Sequence, residues 1–205
     1  MEDLKKKYGD TAVYVVNNDA IGTKNFKDSF RPVLQQFEEA IDEQFNEIGF
    51  FTPRYEAEVN QDLRQVIPYC LIKFEDYYFV TKRLAGDSRL IGKTSCGIGG
   101  HIEIPEQLTN HPIWVSLYRE LYEELDLGLG EETVTKITLS GIIKSDATEV
   151  DKVHLGLIYV IEVCTWDITV KETDILEGMW VHKEDLKEYS NNWETWSQIC
   201  IEKVV

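Results

Sequence analysis

The sequence predicts an α+β fold with a mixed, largely antiparallel sheet. Three observations lead to it. Short β-branched and aromatic runs recur along the chain, two of them flank a two-residue polar step in the form of a hairpin, and separate stretches carry the 3.6-residue period of amphipathic helices. At 205 residues the chain can bury one core of roughly 150 residues with an extension, and is too short for two full-sized domains.

Taken in order, residues 11–16 (TAVYVV) read as a first strand closed by Asn17, Asn18 and Asp19. Over residues 26–49, Phe30, Val33, Leu34, Phe37, Ile41 and Phe45 fall mainly on one helical face, which predicts an amphipathic helix. Pro53 and Pro68 break the pattern beyond this helix and mark a connection, with residues 64–68 leading into the next strand. The runs YCLIKF and YYFVTKR flank Glu75 and Asp76 and predict an antiparallel hairpin over 69–83. Residues 92–100 form a glycine-rich loop holding the short strand TSCGI, and residues 112–125 are helical by period. Strands are predicted again at 134–143, 153–163 and 179–181, with a last helix after Asn192. This organisation divides the chain into an N-terminal strand and helix extension over residues 1–62, packed on a core domain over residues 63–205.

Composition narrows the function classes. With 43% hydrophobic and 28% charged residues, the chain has the make-up of a soluble globular protein with little room for long disorder. No apolar run approaches the roughly 20 residues that span a bilayer, and the start MEDLKKKYGD lacks the apolar stretch of a signal peptide, so the sequence predicts a cytoplasmic protein with no membrane partner. Cys70, Cys96, Cys164 and Cys200 are scattered without a C-x-x-C pair, which indicates reduced thiols rather than a cysteine zinc site or a disulfide framework. A net charge of -16 without a basic patch argues against duplex nucleic acid. The same acidity has a sharper reading, in which some carboxylates converge on divalent cations that recruit an anionic substrate.

One helical segment concentrates that acidity. At about 100° per residue, Arg119, Glu120, Glu123 and Glu124 share one side, while Ile113, Trp114, Leu117, Leu121 and Leu125 form an apolar face that can dock on a sheet. Like charges at this spacing repel by a few tenths of a kcal/mol per pair, roughly, which a hard cation with oxygen ligands would reverse. On the helix alone, a solvated acidic face with Arg119 pairing Glu123 at i,i+4 is the simpler account.

The upstream turn Gly97-Ile98-Gly99-Gly100-His101, followed by Glu106, makes the comparison specific. Together with Arg119-Glu120-Leu121-Tyr122-Glu123-Glu124, it resembles the Nudix box: glycine, five residues, glutamate, seven residues, then Arg-Glu-aliphatic-x-Glu-Glu-x-Gly-aliphatic. This chain departs twice, with twelve residues rather than seven between Glu106 and Arg119 and with Asp126 where the pattern has glycine. Asp tolerates the left-handed conformation expected at that helix end. A broader stretch, roughly residues 55 to 200, is similar to a bacterial Nudix subgroup described as predicted phosphoesterases.

The resemblance implies a Nudix-type α/β/α sandwich and a hydrolase acting on a nucleoside diphosphate linked to another group, a small-molecule substrate. It implies Mg²⁺, with Mn²⁺ as an alternative, held by Glu120, Glu123, Glu124 and the carbonyl of Gly100, and a homodimer is compatible with it. Arg119 would orient a glutamate by a forked pair; Lys82 and Arg83, at the end of their strand, would contact phosphate or stand as ordinary solvated charges, and His101 would contact phosphate or the metal shell, or else be a turn histidine bonded to backbone. A further glutamate downstream would assist catalysis, with Glu172 preferred, then Glu177, and Asp146, Glu149 or Asp151 as alternatives. Trp193 and Trp196 read as packing for the final helix. Two other readings stay open. One is a Nudix-fold module that binds without hydrolysis. The other is an isopentenyl diphosphate isomerase-like enzyme, to which Cys96 and His101 point; that family's N-terminal metal-binding histidines have no counterpart, since the first histidine here is His101.

Overall fold

The computed structural model describes residues 2–22, 26, 28–85, 91–103, 109, 111–127 and 133–205. Its centre is strand β4 (Leu63–Phe74), nine of whose twelve residues are buried. β4 continues through the turn at Glu75 and Asp76 into β5 (Tyr77–Arg83), pairing Lys73 with Tyr78 and Phe74 with Tyr77 as the hairpin pattern predicts. Glu75 takes the left-handed φ of 52° that lets the chain reverse there. On its other edge β4 runs parallel to β10 (His154–Val163), with Gln65 opposite His154 and Tyr69 opposite Ile158. β10 then pairs antiparallel with β9 (Val134–Ile143), and β12 (Leu176–His182) closes the far edge against β5. Among the described residues one parallel strand pair, β4 with β10, stands among antiparallel ones, which makes the sheet mixed.

The N-terminal residues enter this sheet. β1 (Ala12–Asn17) pairs with β3 (Phe50–Pro53) and with the start of β4. β2 (Phe30–Pro32) adds to the edge of β9, which corrects the single helix predicted over residues 26–49. Only its second half is helical, as α2 (Glu38–Ile48). Asp28 and Ser29 both have positive φ, and Pro32 has no N–H to give to a helix. The remaining N-terminal elements are α1 (Glu2–Tyr8) and the single turn α3 (Arg54–Ala57).

Helices cover both faces. α4 (Pro112–Glu124) starts with proline at its first position, where the missing N–H costs nothing. It buries Ile113, Leu117 and Leu121 against the face of β4 and β10 that carries Val66, Cys70, Leu155 and Leu157. The opposite face carries Tyr69, Leu71 and Ile158 and is covered by α6 (Thr195–Lys203), through Cys200 and Ile201, and by Trp193. Helix, sheet and helix form three layers, the α/β/α sandwich. Between β5 and α4 the chain passes through β6 (Thr94–Ser95) and β7 (Ile98–Gly99), which pair with β5 and β4. After α4 come β8 (Leu125–Asp126) and β11 (Thr169–Val170), paired with each other, and α5 (Leu186–Tyr189) precedes α6. Among the described residues no helix is long and apolar enough to cross a membrane.

Candidate active site

The turn after β7 and the solvent side of α4 build one cleft. Pairing of Tyr69 with Gly99 brings the glycine turn onto the middle of β4. Packing of α4 on the same region then lays its polar side against the turn. The approach is close enough that a Cβ on Gly100 would lie 2.0 Å from Glu120 Oε1, so only glycine admits the carboxylate here. Next to it opens a cavity of about 110 Å³ lined by Arg83, Glu124, Glu194, Tyr69, Ser95 and the glycine turn, among others. Ligand pockets for whole drug-sized molecules are roughly 300–1,000 Å³, so this cavity suits a phosphate-sized group with the rest of a ligand over its rim.

The three helix carboxylates do not share one environment. The Glu120 side chain is 13% exposed and that of Glu123 is 59% exposed. Burial pushes the Glu120 carboxyl above its ordinary pKa despite the opposing Arg119 charge. Burial and the adjacent Glu120 push Glu124 up to about 7; Glu172 and Glu194 add to the rise, and Arg83 opposes it. Arg119 ties the outer edge together. Its Nη1 donates to Glu120 Oε1 at 2.7 Å and to Glu123 Oε2 at 3.0 Å, and its Nη2 donates to the His101 carbonyl at 2.7 Å. One guanidinium therefore fixes a carboxylate and the turn that faces it.

No protein-family model matches the sequence. Protein YmaB of Bacillus subtilis (strain 168) is 36% identical over 156 residues, covering 73% of this chain and 75% of that protein. The crystal structure of Tm1382, assigned as a Nudix hydrolase, superposes with a TM-score of 0.78 at 30% identity, covering 93% of this chain and 96% of that one. The chain belongs to the Nudix superfamily. A bifunctional NMN adenylyltransferase/ADP ribose pyrophosphatase from Francisella tularensis, solved with AMP and a Mn ion, shares the fold at a TM-score of 0.50 and 17% identity, over 68% of this chain and 41% of that one.

The Nudix helix, residues 119–124, and the Gly99-Gly100 turn are thus adjacent in space, while Glu106 and the lengthened loop lie outside the described residues. At Asp126 the structure corrects an expectation. α4 ends at Glu124 with Leu125 extended (φ -116°, ψ 141°), and the chain runs straight into β8, so Asp126 sits in a strand and no left-handed residue is required.

The other candidates separate by location. Arg83 faces the cavity with Thr81, as alternation along β5 dictates, whereas Lys82 points the other way, is exposed, and stands opposite Glu177 of β12. His101 gives its carbonyl to Arg119 and turns its ring to His154, with the two Nε2 atoms 3.2 Å apart. Glu172 is exposed and lies near enough to Glu124 to raise its pKa, because the Lys171 N–H donates to the Glu124 carbonyl at 2.8 Å. Asp146 is bound to Arg64 of β4, and within their own loop Glu149 is bound to Lys152 and Asp151 to the Thr148 amide and hydroxyl.

Sequence reasoning passed over Glu194. Its Oε1 accepts from Tyr69 Oη at 2.6 Å, Ser95 Oγ at 2.5 Å and Ser197 Oγ at 3.3 Å, and it lines the cavity. The available signal was its place immediately before α6, where a capping residue belongs.

Proposed function

We propose that this Nudix protein is a divalent-metal-dependent hydrolase cleaving a phosphoanhydride bond in a nucleoside diphosphate linked to another group, with Mg²⁺ as the ion and Mn²⁺ as its substitute. The observation that carries the reading is the Glu120 and Glu124 pair: two largely buried carboxylates, both raised by burial and close enough for Glu120 to raise Glu124, the first set against the Gly100 turn and the second lining the adjoining cavity with Arg83. Such a cluster of oxygen donors fits a hard cation.

Glu120, Glu124 and the Gly100 carbonyl would hold the ion, with Glu123 on its outer side. When bound, it neutralises charge on phosphate oxygens and lowers the pKa of an attacking water. Arg83 binds phosphate oxygens within the cavity. Arg119 keeps Glu120 and the glycine turn in register through its bonds to both. Glu172 takes the water's proton on its carboxylate from the exposed rim, and Glu194, held by three hydroxyls, shapes the cavity floor.

The test is a panel of nucleotide sugars, dinucleoside polyphosphates, nucleoside triphosphates, ADP-ribose and coenzyme-like diphosphates, assayed with Mg²⁺ or Mn²⁺. Turnover should appear on one class. It should fall by about 100-fold or more in Glu120→Gln and Glu124→Gln, since even groups one shell beyond a metal contribute 10- to 100-fold. Nucleotide binding with no product under either ion would replace the hydrolase reading with a binding module.

A further inference from the structure

At the residue that follows Gly100, three side chains from distant parts of the chain come together. Glu58 follows α3, His101 follows the glycine turn and His154 opens β10. One potential ligand atom from each lies within 4.8 Å of the other two. We propose that Glu58, His101 and His154 bind a single transition-metal ion of the zinc class, at a site separate from the Glu120 and Glu124 carboxylates.

The geometry is that of a ligand set. Zn–N bonds of about 2.0–2.1 Å in a tetrahedral site place two nitrogens about 3.3 Å apart, and the Nε2 atoms of His101 and His154 are 3.2 Å apart. The tautomer of His154 is fixed. Its Nδ1 lies 2.7 Å from the Val150 carbonyl, which can only accept, so Nδ1 carries a proton, and in the neutral ring that leaves Nε2 as the atom able to ligate. Glu58 is oriented in turn by Arg54, whose Nε donates to Oε1 at 3.4 Å, and its side chain is only 6% exposed.

A second observation comes from the adjoining strand. Gln65 stands opposite His154 in the parallel ladder, so both side chains leave the sheet on the same face. Gln65 is fully buried, yet neither its Oε1 nor its Nε2 has a hydrogen-bond partner among the described residues. A buried amide of this kind calls for a polar neighbour. Three protein ligands leave a coordination position for a water that would supply one. Two imidazoles and one carboxylate favour zinc over magnesium, which prefers oxygen alone. The ion would pin the end of α3 to the residue whose carbonyl Arg119 holds, tying the N-terminal segment to the candidate active site.

The proposal stands apart from the hydrolase reading and is tested without turnover. The full chain is stripped with chelator and titrated with Co²⁺ alone, then Zn²⁺ alone. The strong visible absorption of tetrahedral cobalt should saturate at one equivalent and be displaced by zinc, any Co²⁺ held by the all-oxygen carboxylate site being six-coordinate and only weakly coloured. Its thermal midpoint should rise by roughly 5–10 °C at a zinc concentration of 100 Kd. His154→Ala and Glu58→Gln should weaken uptake at least tenfold, while Glu124→Gln keeps it. His154→Gln, checked for folding by circular dichroism, serves if the alanine variant does not fold. No stoichiometric uptake by wild type, unchanged uptake in the folded His154 and Glu58 variants, or loss in Glu124→Gln alone would each overturn the site.

Discussion

Alanine at Gly100 and alanine at Gly99 should fail in opposite ways, although the residues are neighbours. A Cβ at Gly100 would meet the Glu120 carboxylate at 2.0–2.4 Å, and contacts under 3.0 Å are essentially never seen, so the carboxylate must move by at least about 1 Å. That group is the end of a flexible side chain. It can swing away, giving up its 2.7 Å bond to Arg119, with little effect on the packed core. At Gly99 the Cβ would meet the Pro68 carbonyl at 2.3 Å, and that atom belongs to the central strand β4. Overpacking against backbone costs about 1–3 kcal/mol, a fall in melting temperature of roughly 2–12 °C at this size. Gly100→Ala should therefore keep its melting temperature within about 2 °C. It should lose Mg²⁺ affinity and about 100-fold in hydrolysis, the effect of misplacing a catalytic group by 1 Å. Thermal melts, isothermal titration with Mg²⁺ and turnover on the best substrate of the panel read the three quantities. Equal destabilisation of both variants, or a Gly100→Ala protein with wild-type metal affinity and turnover, would refute the placement of Glu120 as a ligand against this turn.

The same geometry gives three further expected outcomes. Glu124 ionises near 7 in the folded protein against an ordinary 4.5, so the folded state holds its proton more tightly. Stability of the metal-free protein should then fall as pH rises from about 4.5 through 7, by up to about 3 kcal/mol, and level off above; Glu120 acts in the same direction. Urea unfolding at pH 5 and pH 8 measures this, with Glu124→Gln flattening the slope and Mg²⁺ restoring stability at pH 8. Arg119→Lys, which loses the fork joining Glu120, Glu123 and the His101 carbonyl, should reduce turnover about 10- to 100-fold with little change in melting; wild-type turnover would remove Arg119 from its positioning role. Tyr69→Phe deletes a buried hydroxyl bonded to Glu194 and should cost about 1–3 kcal/mol in urea unfolding, whereas a neutral result would mean that Glu194 does not depend on it.

Where the sequence was legible, a local period was enough. On the helical wheel Glu120 and Glu124 lie at the edge of the apolar sector and Glu123 lies farthest out, and correspondingly the first two are half-buried while Glu123 is exposed, because α4 has a single apolar face to dock. β9 spans the predicted residues 134–143, and the hairpin turns at Glu75 and Asp76, for the same local reason. The helix predicted over 26–49 failed in its first half because Phe30, Val33 and Leu34 fit a helical period equally well. What decided their state was an edge of β9 more than 100 residues away, where Phe30 packs over Gly141. Pro32 was the local warning.

The sequence by itself carried the resemblance to the Nudix box and determined the residue types of the acidic helix, since a motif, a period of 3.6 and a glycine turn are properties of neighbouring residues. Only the tertiary structure decided which carboxylates face the cleft with Glu124, and that Lys82 points away from it while Arg83 points in. It alone brought Glu194 to the cavity by packing α6 over Tyr69, and His154 to His101 and Glu58 by setting the parallel register of β10 on β4. Strand register and layer packing join residues far apart in the chain, and no local pattern encodes which distant partner will stand opposite.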